Sequence, residues 1–308
     1  MKGVDDMKEK VFRSNRIKTP TSDRILQAVI VVVITLFCVF CLLPFVVVIT
    51  GAFERELNLK RFGYALYIRE FSTSAFELIL KDQQIPNSYK VTIFTTVVGT
   101  LLSMLFTITA AYPLSLKKVK YRNIVNFMIY FTMLFGGGLV PTYLLISQTL
   151  GLKDNIWVLI LPVMCSAWNI FLMRNFFSGV PKELSESAYI DGANDFTILF
   201  RIVLPVSVPG IATISLFYAL GYWNQWYNAM LYINDYSKMP LQYLIMDLAR
   251  SGDALREIAQ YTGQSLNNMP GLSLKMATTL VTIGPIVLLY PFVQRYFTSG
   301  LTVGAVKG

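Results

Sequence analysis

Residues Glu186–Ala193 have the sequence Glu-Ser-Ala-Tyr-Ile-Asp-Gly-Ala, and Ile-Val-Leu-Pro follows at Ile202–Pro205. This polar segment interrupts a chain of 308 residues, of which 54% are hydrophobic and only 15% are charged. Soluble domains carry about 25% charged residues, so the chain is too apolar for a water-soluble protein. The polar segment is therefore the part of the chain best suited to contact a partner outside the membrane.

The apolar stretches on both sides of this segment predict the fold class. Six uncharged stretches are each long enough to cross a bilayer as a helix, which requires about 20 residues. They are Ile25–Thr50, Val91–Leu116, Ile124–Ser147, Asn155–Met173, Ile202–Asn228 and Met276–Gln294. The sequence thus predicts an all-α integral membrane protein with six transmembrane helices in one domain, residues 25–298.

Positive charges predict the orientation of these helices. Seven Lys and Arg residues precede the first span, and four more lie between the second and third spans, at Lys117, Lys118, Lys120 and Arg122. Short segments rich in Lys and Arg face the cytoplasm. Residues 1–24, the tail 299–308 and the polar segment at about 181–205 are therefore predicted to be cytoplasmic.

The chain shows no energy source of its own. No predicted span contains Asp or Glu, whereas ion-coupled carriers usually hold such groups within the membrane. The sequence has no phosphate loop of the G-x-x-x-x-G-K-[ST] type, and it has no histidine for a metal site or Ser-His catalysis. We expect no catalytic residue, metal or cofactor in this chain, no nucleic-acid partner, and a separate protein that supplies energy.

The polar segment has the signals of a helix–turn–helix. Pro181 suits the first turn of a helix over Lys182–Ile190, and Gly192 tolerates the positive φ of a sharp turn. Asn194 or Asp195 is suited to cap a second short helix that runs through Phe200. The small residues of the segment allow close approach to a partner; they are Ser187, Ala188, Gly192 and Ala193.

The order and spacing of these residues resemble the EAA coupling segment of permease subunits in binding-protein-dependent ABC importers. That pattern is E-A-A, two residues, D-G-A, and then I-x-L-P. The matching positions are Glu186, Ala188, Asp191, Gly192, Ala193, Ile202, Leu204 and Pro205, and Ser187 stands where the pattern has its other alanine. The substitution keeps the side chain small and adds a hydroxyl group.

Other stretches are similar to one group within this family. The C-terminal sequence Gly300–Gly308 resembles the tail of maltose-type carbohydrate permeases of the MalG kind. Phe135–Tyr143, Tyr222–Ala229 and Pro240–Gln242 resemble oligosaccharide permeases related to LplC and YtcP. Together these resemblances cover nearly the whole chain from the first span onward.

The resemblance implies a type I ABC importer permease fold, which is MetI-like, in the bacterial cytoplasmic membrane. It also implies a second permease subunit, two cytoplasmic ATPases that bind ATP and magnesium, and an extracytoplasmic sugar-binding protein. Glu186 would contact an ATPase, and Asp191 and Gly192 would hold the turn. Gly304 and Lys307 in the tail would reach the ATPases. The chain itself would be non-catalytic and would carry half of the path for an oligosaccharide.

Aromatic and amide side chains in the fourth and fifth spans are candidates for that path, because sugar faces stack on aromatic rings and hydroxyl groups bond to amides. They are Trp168, Asn169, Tyr218, Tyr222, Trp223 and Asn224. An alternative role for each is helix packing or a position at the membrane interface.

Two further segments have both a functional and a structural interpretation. The external loop at about 235–271 would contact the sugar-binding protein or merely close the periphery. The glycine-rich stretch Phe135–Pro141 is predicted to bend the third span, as a joint near the pore or for tight helix packing.

For the chain as a whole, the alternative functions are a secondary carrier and an ABC permease for a non-sugar solute.

Overall fold

The computed structural model of the chain describes residues 21–81, 84–248, 250, 271–285 and 287. Its helices are α1 (Thr21–Ala52), α2 (Glu56–Phe62), α3 (Ser74–Lys81), α4 (Gln84–Ser115), α5 (Arg122–Leu134), α6 (Leu139–Leu144), α7 (Ala167–Ser178), α8 (Lys182–Ile190), α9 (Asp195–Ile198), α10 (Leu204–Val206), α11 (Val208–Trp223), α12 (Tyr227–Tyr232), α13 (241–248) and α14 (272–285). Within these residues, extended pairing is limited to one antiparallel bridge between Glu54 and Phe71. The all-helical prediction is confirmed for this part of the chain.

Helices α4 and α11 form the centre of the bundle as an antiparallel pair. The hydroxyl group of Tyr222 lies 2.8 Å from Ser103 Oγ, and that of Tyr218 lies 2.7 Å from Thr107 Oγ1. Position 99 carries a glycine, and a Cβ atom there would lie 2.6 Å from the Tyr222 ring. Small residues every four positions on α4 therefore bring it close to α11, as is common between helices in membranes. We call this contact the α4–α11 seam.

Helix α1 has almost no contact with this centre. Residues 22–46 are exposed in the monomer, including large apolar side chains such as Phe37 and Phe40. Only its C-terminal end is held, where the Thr50 hydroxyl donates to the Ala65 carbonyl at 2.6 Å and Ala52 is fully buried. In water such a surface would be unstable, so α1 is suited to lipid or to another membrane subunit.

The predicted spans are only partly single helices. Over the described residues, Ser22–Ala52 and Gln84–Ser115 are long and apolar enough to cross a membrane, and the number rises to five if each of three bent helix pairs is one span. The sixth predicted span begins within α14. Residues 286 and 288–294 of that span are not among the residues that the structure describes.

The bend predicted for the third span is confirmed, whereas the breaks in the fourth and fifth spans correct our expectation of uninterrupted helices there. Local chemistry explains each break. The third bends by 110° between α5 and α6, at the predicted glycine-rich stretch, where Gly138 has φ +85°. The fourth bends by 52° where the Ser166 side chain caps α7 by accepting from Asn169 N. The fifth bends by 83° at Ser207, because Pro209 starts a new helix and lacks the N–H that would continue the previous one.

The two ends of α4 lie about 48 Å apart, since 32 helical residues rise about 1.5 Å each. Near its N-terminal end, Asn87 donates to the Ser237 carbonyl at 2.5 Å and Thr92 accepts from Leu241 N at 2.8 Å. At the same end, Glu56 accepts from the first turn of α14 through Ser273 N at 2.9 Å. Helix α8 lies at the opposite end, near residue 118. Each end of the bundle thus has its own set of loops.

Candidate functional site

The polar segment folds as predicted from its capping and turn residues. Helix α8 covers Lys182–Ile190, and Pro181 immediately precedes it. Gly192 has φ +81°, and Ala193 N donates to the Ala188 carbonyl at 2.9 Å while Gly192 N donates to Tyr189 at 3.0 Å. This is the hydrogen-bond pattern of a Schellman motif, which requires a left-handed residue at the turn. We call residues 181–205 the coupling segment.

The second helix of the segment begins where the sequence predicts. Asn194 Oδ1 accepts from Thr197 N at 2.8 Å and from the Thr197 hydroxyl at 2.9 Å. This side-chain cap starts α9, which continues through a π-helical turn, Leu199–Val203, into α10. The prediction that this helix ends at Phe200 is wrong, because the π turn carries the chain on without a break. The segment is thereby joined to α11 through the bend at Ser207.

The predicted contact residues divide between two faces. The side chains exposed to solvent are those of Glu186, Ser187 and Asp191, together with Gly192. Ala188 and Ala193 are half-buried and pack against the hydrophobic core of the bundle. Their small size therefore lets the coupling segment lie close to its own bundle, which is a different use from the close approach to a partner that the sequence suggested.

Large apolar side chains are exposed in the same segment. Ile190 is 87% exposed and Phe196 is 75% exposed, one on each side of the Gly192 turn. Exposed apolar residues in a polar, solvent-facing segment favour a protein contact. Together with Glu186, they give the outer face of the segment both an apolar and a charged component.

A lysine from a different loop holds the inner side of the turn. Lys118, between α4 and α5, donates to the Tyr189 hydroxyl at 2.6 Å and to Asp195 Oδ1 at 2.9 Å. The Tyr189 hydroxyl also donates to Asp195, and Lys118 Nζ lies 4.4 Å from the centre of the Tyr189 ring. The hydrogen bond from Lys118 holds the pKa of the Asp195 carboxyl below its usual value. The charge pattern of the sequence did not predict this contact.

A cavity of about 370 Å³ lies beside the C-terminal end of α11. Its lining contains four amide and several aromatic side chains and no charged residue; it consists of Val163, Ser166, Asn169, Phe217, Tyr218, Gly221, Tyr222, Asn224, Gln225, Trp226, Tyr227 and Asn228. A volume of several hundred Å³ suits a small ligand. The amides provide both donors and acceptors, and the rings provide flat apolar faces.

Four of the six predicted path residues line this cavity: Asn169, Tyr218, Tyr222 and Asn224. The hydroxyl groups of the two tyrosines are engaged in the α4–α11 seam, and Ser166 N also donates to Tyr218 at 3.3 Å. These two residues thus line the cavity, while their hydroxyl groups hold helices together.

The two predicted tryptophans do not line the cavity. Trp168 is 63% exposed on the surface of α7. Trp223 is buried, and its indole nitrogen has no hydrogen-bond partner within the described residues. Residue type alone did not distinguish these two tryptophans from the residues that line the cavity.

Sequence reasoning missed Gln225 and Asn228 as individual cavity residues, although both lie in the stretch Tyr222–Ala229 that carries the family resemblance. Gln225 Oε1 is buried with no partner among the described residues, so it is an acceptor available to a ligand or water.

Two further predictions, the tail contacts of Gly304 and Lys307, fall outside the described residues. The same holds for 251–270 of the external loop, whereas its residues 241–248 form α13 instead of a loop.

A helical bundle with apolar spans, an exposed helix–turn–helix and an uncharged polar cavity is the architecture expected of a membrane transport subunit. The chain belongs to the family of binding-protein-dependent transport system inner membrane components, which its residues 16–303 match. This membership confirms the predicted family and removes the secondary carrier from the alternatives.

Two similar proteins come from Bacillus subtilis. The chain is 40% identical over 269 residues to Protein LplC of Bacillus subtilis (strain 168), covering 87% of this chain and 90% of LplC. It is 39% identical to the polygalacturonan/rhamnogalacturonan transport system permease protein YtcP of the same organism, covering 93% of this chain and 99% of YtcP.

A solved structure has the same fold. The crystal structure of a bacterial ABC transporter involved in the import of the acidic polysaccharide alginate contains a chain that is 32% identical to this one. The TM-score is 0.79, and the match covers 91% of this chain and 99% of that chain. The predicted MetI-like permease fold is thereby confirmed.

Proposed function

We propose that this chain forms half of the translocation path of an oligosaccharide importer and couples it to a cytoplasmic ATPase through the coupling segment. The observation that carries the proposal is the exposed outer face of that segment, where Glu186, Ile190 and Phe196 face solvent on both sides of an ordered turn. A rigid helix that is anchored in the bundle and open on its outer face is suited to dock in a partner and to transmit its movement.

The cargo part of the proposal rests on the relatives and on the cavity. YtcP is a permease for polygalacturonan and rhamnogalacturonan, and AraQ of Halalkalibacterium halodurans is an arabinooligosaccharide permease that is 31% identical to this chain. The cavity offers aromatic faces and amides, which is the combination that sugars require. A non-sugar solute remains the second candidate function, and the same cavity would then bind another polar, uncharged group.

We further propose six spans with both termini in the cytoplasm of a bacterial cell. The contacts described above support this arrangement. Lys118 and the coupling segment meet at one end of the bundle, while α1 ends and α14 begins at the other end, where Glu56 contacts Ser273. Helix α14 therefore runs back toward the coupling segment, as a sixth span in the cytoplasmic membrane would.

The proposed assembly contains four other subunits or more. Two ATPases would bind ATP and magnesium, since the family is a component of binding-protein-dependent transport systems. A second permease subunit would cover apolar surface such as that of α5, in which none of the residues is buried. An extracytoplasmic sugar-binding protein would deliver the cargo, and this chain would be non-catalytic.

The test is uptake by the purified assembly in proteoliposomes, with trigalacturonate, arabinotriose and raffinose as probes. We expect at least one sugar to enter only when ATP is enclosed with the ATPase, and to enter equally fast when an ionophore abolishes ion gradients. Glu186→Lys is expected to accumulate normally and to lower uptake, because it reverses the charge presented to the ATPase. Normal uptake by this variant at normal abundance would contradict the coupling assignment, and transport of none of the three sugars would favour the non-sugar alternative.

A further inference from the structure

Three segments of the chain converge at Lys118. The lysine lies in the loop that leaves α4, Tyr189 lies in the last turn of α8, and Asp195 is the first residue of α9. Lys118 Nζ bonds to both partners, at 2.6 Å and 2.9 Å, and the tyrosine hydroxyl bonds to the same carboxylate oxygen. The three groups thus form a closed triangle, which we call the Lys118 clasp.

The clasp spans the Gly192 turn of the coupling segment. Tyr189 precedes Gly192 and Asp195 follows it, so the lysine joins the two short helices on either side of the turn. The segment also packs against the apolar core of the bundle through Ala188, Ala193 and Ile198, and it continues into α7 at one end and into α11 at the other through the chain itself. To this apolar packing the clasp adds a polar connection from the loop that leaves α4, and the buried face of α4 packs against α11.

We infer that Lys118 is a positioning residue that fastens the α4–α5 loop across the Gly192 turn, so that a displacement of the coupling segment moves α4 together with α11. This inference rests on the proposed coupling function. Its physical basis is that a partner's movement is transmitted only through elements that move as one body. A turn that opened or closed independently would absorb the displacement.

The clasp is suited to positioning rather than to holding the fold together. The side chains of Lys118 and Asp195 are 52% and 49% exposed, and ion pairs between such exposed groups contribute little to stability. The bundle core beneath them is formed by apolar residues such as Ile198 and Ile214, both fully buried. Loss of the clasp should therefore leave the amount of folded protein unchanged and alter the transfer of movement.

The experiment compares Lys118→Ala with Lys117→Ala in the reconstituted assembly. Lys117 is the adjacent exposed lysine of the same loop, and its replacement removes the same charge without removing the clasp. The measured quantity is the number of sugar molecules transported per ATP hydrolysed. The sugar used is whichever of trigalacturonate, arabinotriose and raffinose the unmodified assembly transports fastest. We expect Lys118→Ala to lower this ratio at least about five-fold, in the range of typical coupling between sites, and Lys117→Ala to leave it unchanged.

Two further variants separate positioning from folding. Lys118→Arg keeps a donor that reaches a carboxylate and is expected to restore most of the ratio. Tyr189→Phe keeps the ring and removes two sides of the triangle, leaving only the bond between Lys118 and Asp195. It should therefore lower the ratio at normal abundance, even if Lys118→Ala accumulates poorly. A normal ratio in Tyr189→Phe and Lys118→Ala, or an equal loss in Lys117→Ala, would overturn the inference.

The Glu186→Lys variant separates failure of this inference from failure of the proposed function. If Glu186→Lys lowers the ratio while both clasp variants are normal, the coupling segment stands and the clasp has no part in it. If Glu186→Lys is normal as well, the coupling function and the clasp inference are both contradicted.

Discussion

The α4–α11 seam and the coupling segment contain similar types of residue, but these residues have opposite structural roles in the two regions. Both depend on glycine and on hydroxyl groups, but Gly99, Ser103 and Tyr222 are enclosed between two helices, whereas Gly192 and Ser187 face solvent. In the seam, small residues bring two long helices together. In the coupling segment they form a turn that leaves large apolar side chains exposed.

This difference predicts two kinds of mutational effect. A change in the seam removes packing or leaves a buried hydroxyl unpaired, so it should lower stability first and transport only as a consequence. A change in the exposed face of the coupling segment removes no internal contact, so it should lower transport at unchanged stability. The following three predictions test the packing of the seam and the local order of the coupling segment, from the largest expected effect to the smallest.

Gly99→Ala tests the closeness of the seam. Its new Cβ atom would lie 2.6–2.8 Å from three atoms of the Tyr222 ring, so one helix must shift, and such overpacking typically costs about 1–3 kcal/mol. We expect a lower thermal unfolding midpoint in detergent. The matched control is Gly221→Ala on α11, where a Cβ would meet nothing within 4 Å; equal midpoints for the two variants would contradict the packing account.

Tyr222→Phe tests the polar component of the seam. The change removes hydrogen bonds to Ser103 Oγ and to the Ile160 carbonyl, at 2.8 Å and 3.3 Å, and keeps the ring. Hydrogen bonds between membrane helices contribute about 0.6–2 kcal/mol, so a smaller fall of the unfolding midpoint is expected. The control is Tyr227→Phe, because the ring of Tyr227 is exposed and this residue lines the same cavity as Tyr222. This control should leave the unfolding midpoint unchanged. A fall of the same size in both variants would refute the role of the Tyr222 hydroxyl in the seam.

Asn194→Ala tests the order of the coupling segment itself. Loss of the cap on Thr197 costs about 1 kcal/mol locally, which corresponds to roughly five-fold faster amide exchange at the start of α9 if that turn opens independently. The midpoint of global unfolding should not change. Asn194→Asp retains an acceptor and should exchange at the original rate; faster exchange across the whole bundle in Asn194→Ala would show that segment and bundle unfold together.

The sequence predicted the coupling segment well because its structure depends on neighbouring residues. Helix bounds at Lys182–Ile190, the left-handed Gly192 and the Asn194 cap each follow from side chains within a few positions. The bend after Leu134 was predictable for the same reason, since three consecutive glycines precede Pro141.

The remaining features depend on residues that are far apart in the sequence. Hydropathy predicted continuous spans because it averages over about 20 residues, and the breaks near Ser166 and Ser207 are set by single caps and prolines. The pairing of Tyr218 with Thr107 and of Lys118 with Asp195 joins positions more than 70 residues apart. Residue types identified Tyr218 and Tyr222 as path residues, but only the fold shows that their hydroxyl groups are used between helices.

The central claim is that the outer face of the coupling segment contacts the ATPase, and site-specific photo-crosslinking tests it most directly. A photoreactive phenylalanine analogue is placed at Ile190, which is 87% exposed, and at Trp168, which is 63% exposed on α7, as the control. We expect a crosslink from position 190 to the cytoplasmic ATPase in the intact assembly, and none to it from position 168. Absence of the ATPase crosslink at 190, or a crosslink there to the extracytoplasmic binding protein, would contradict the account.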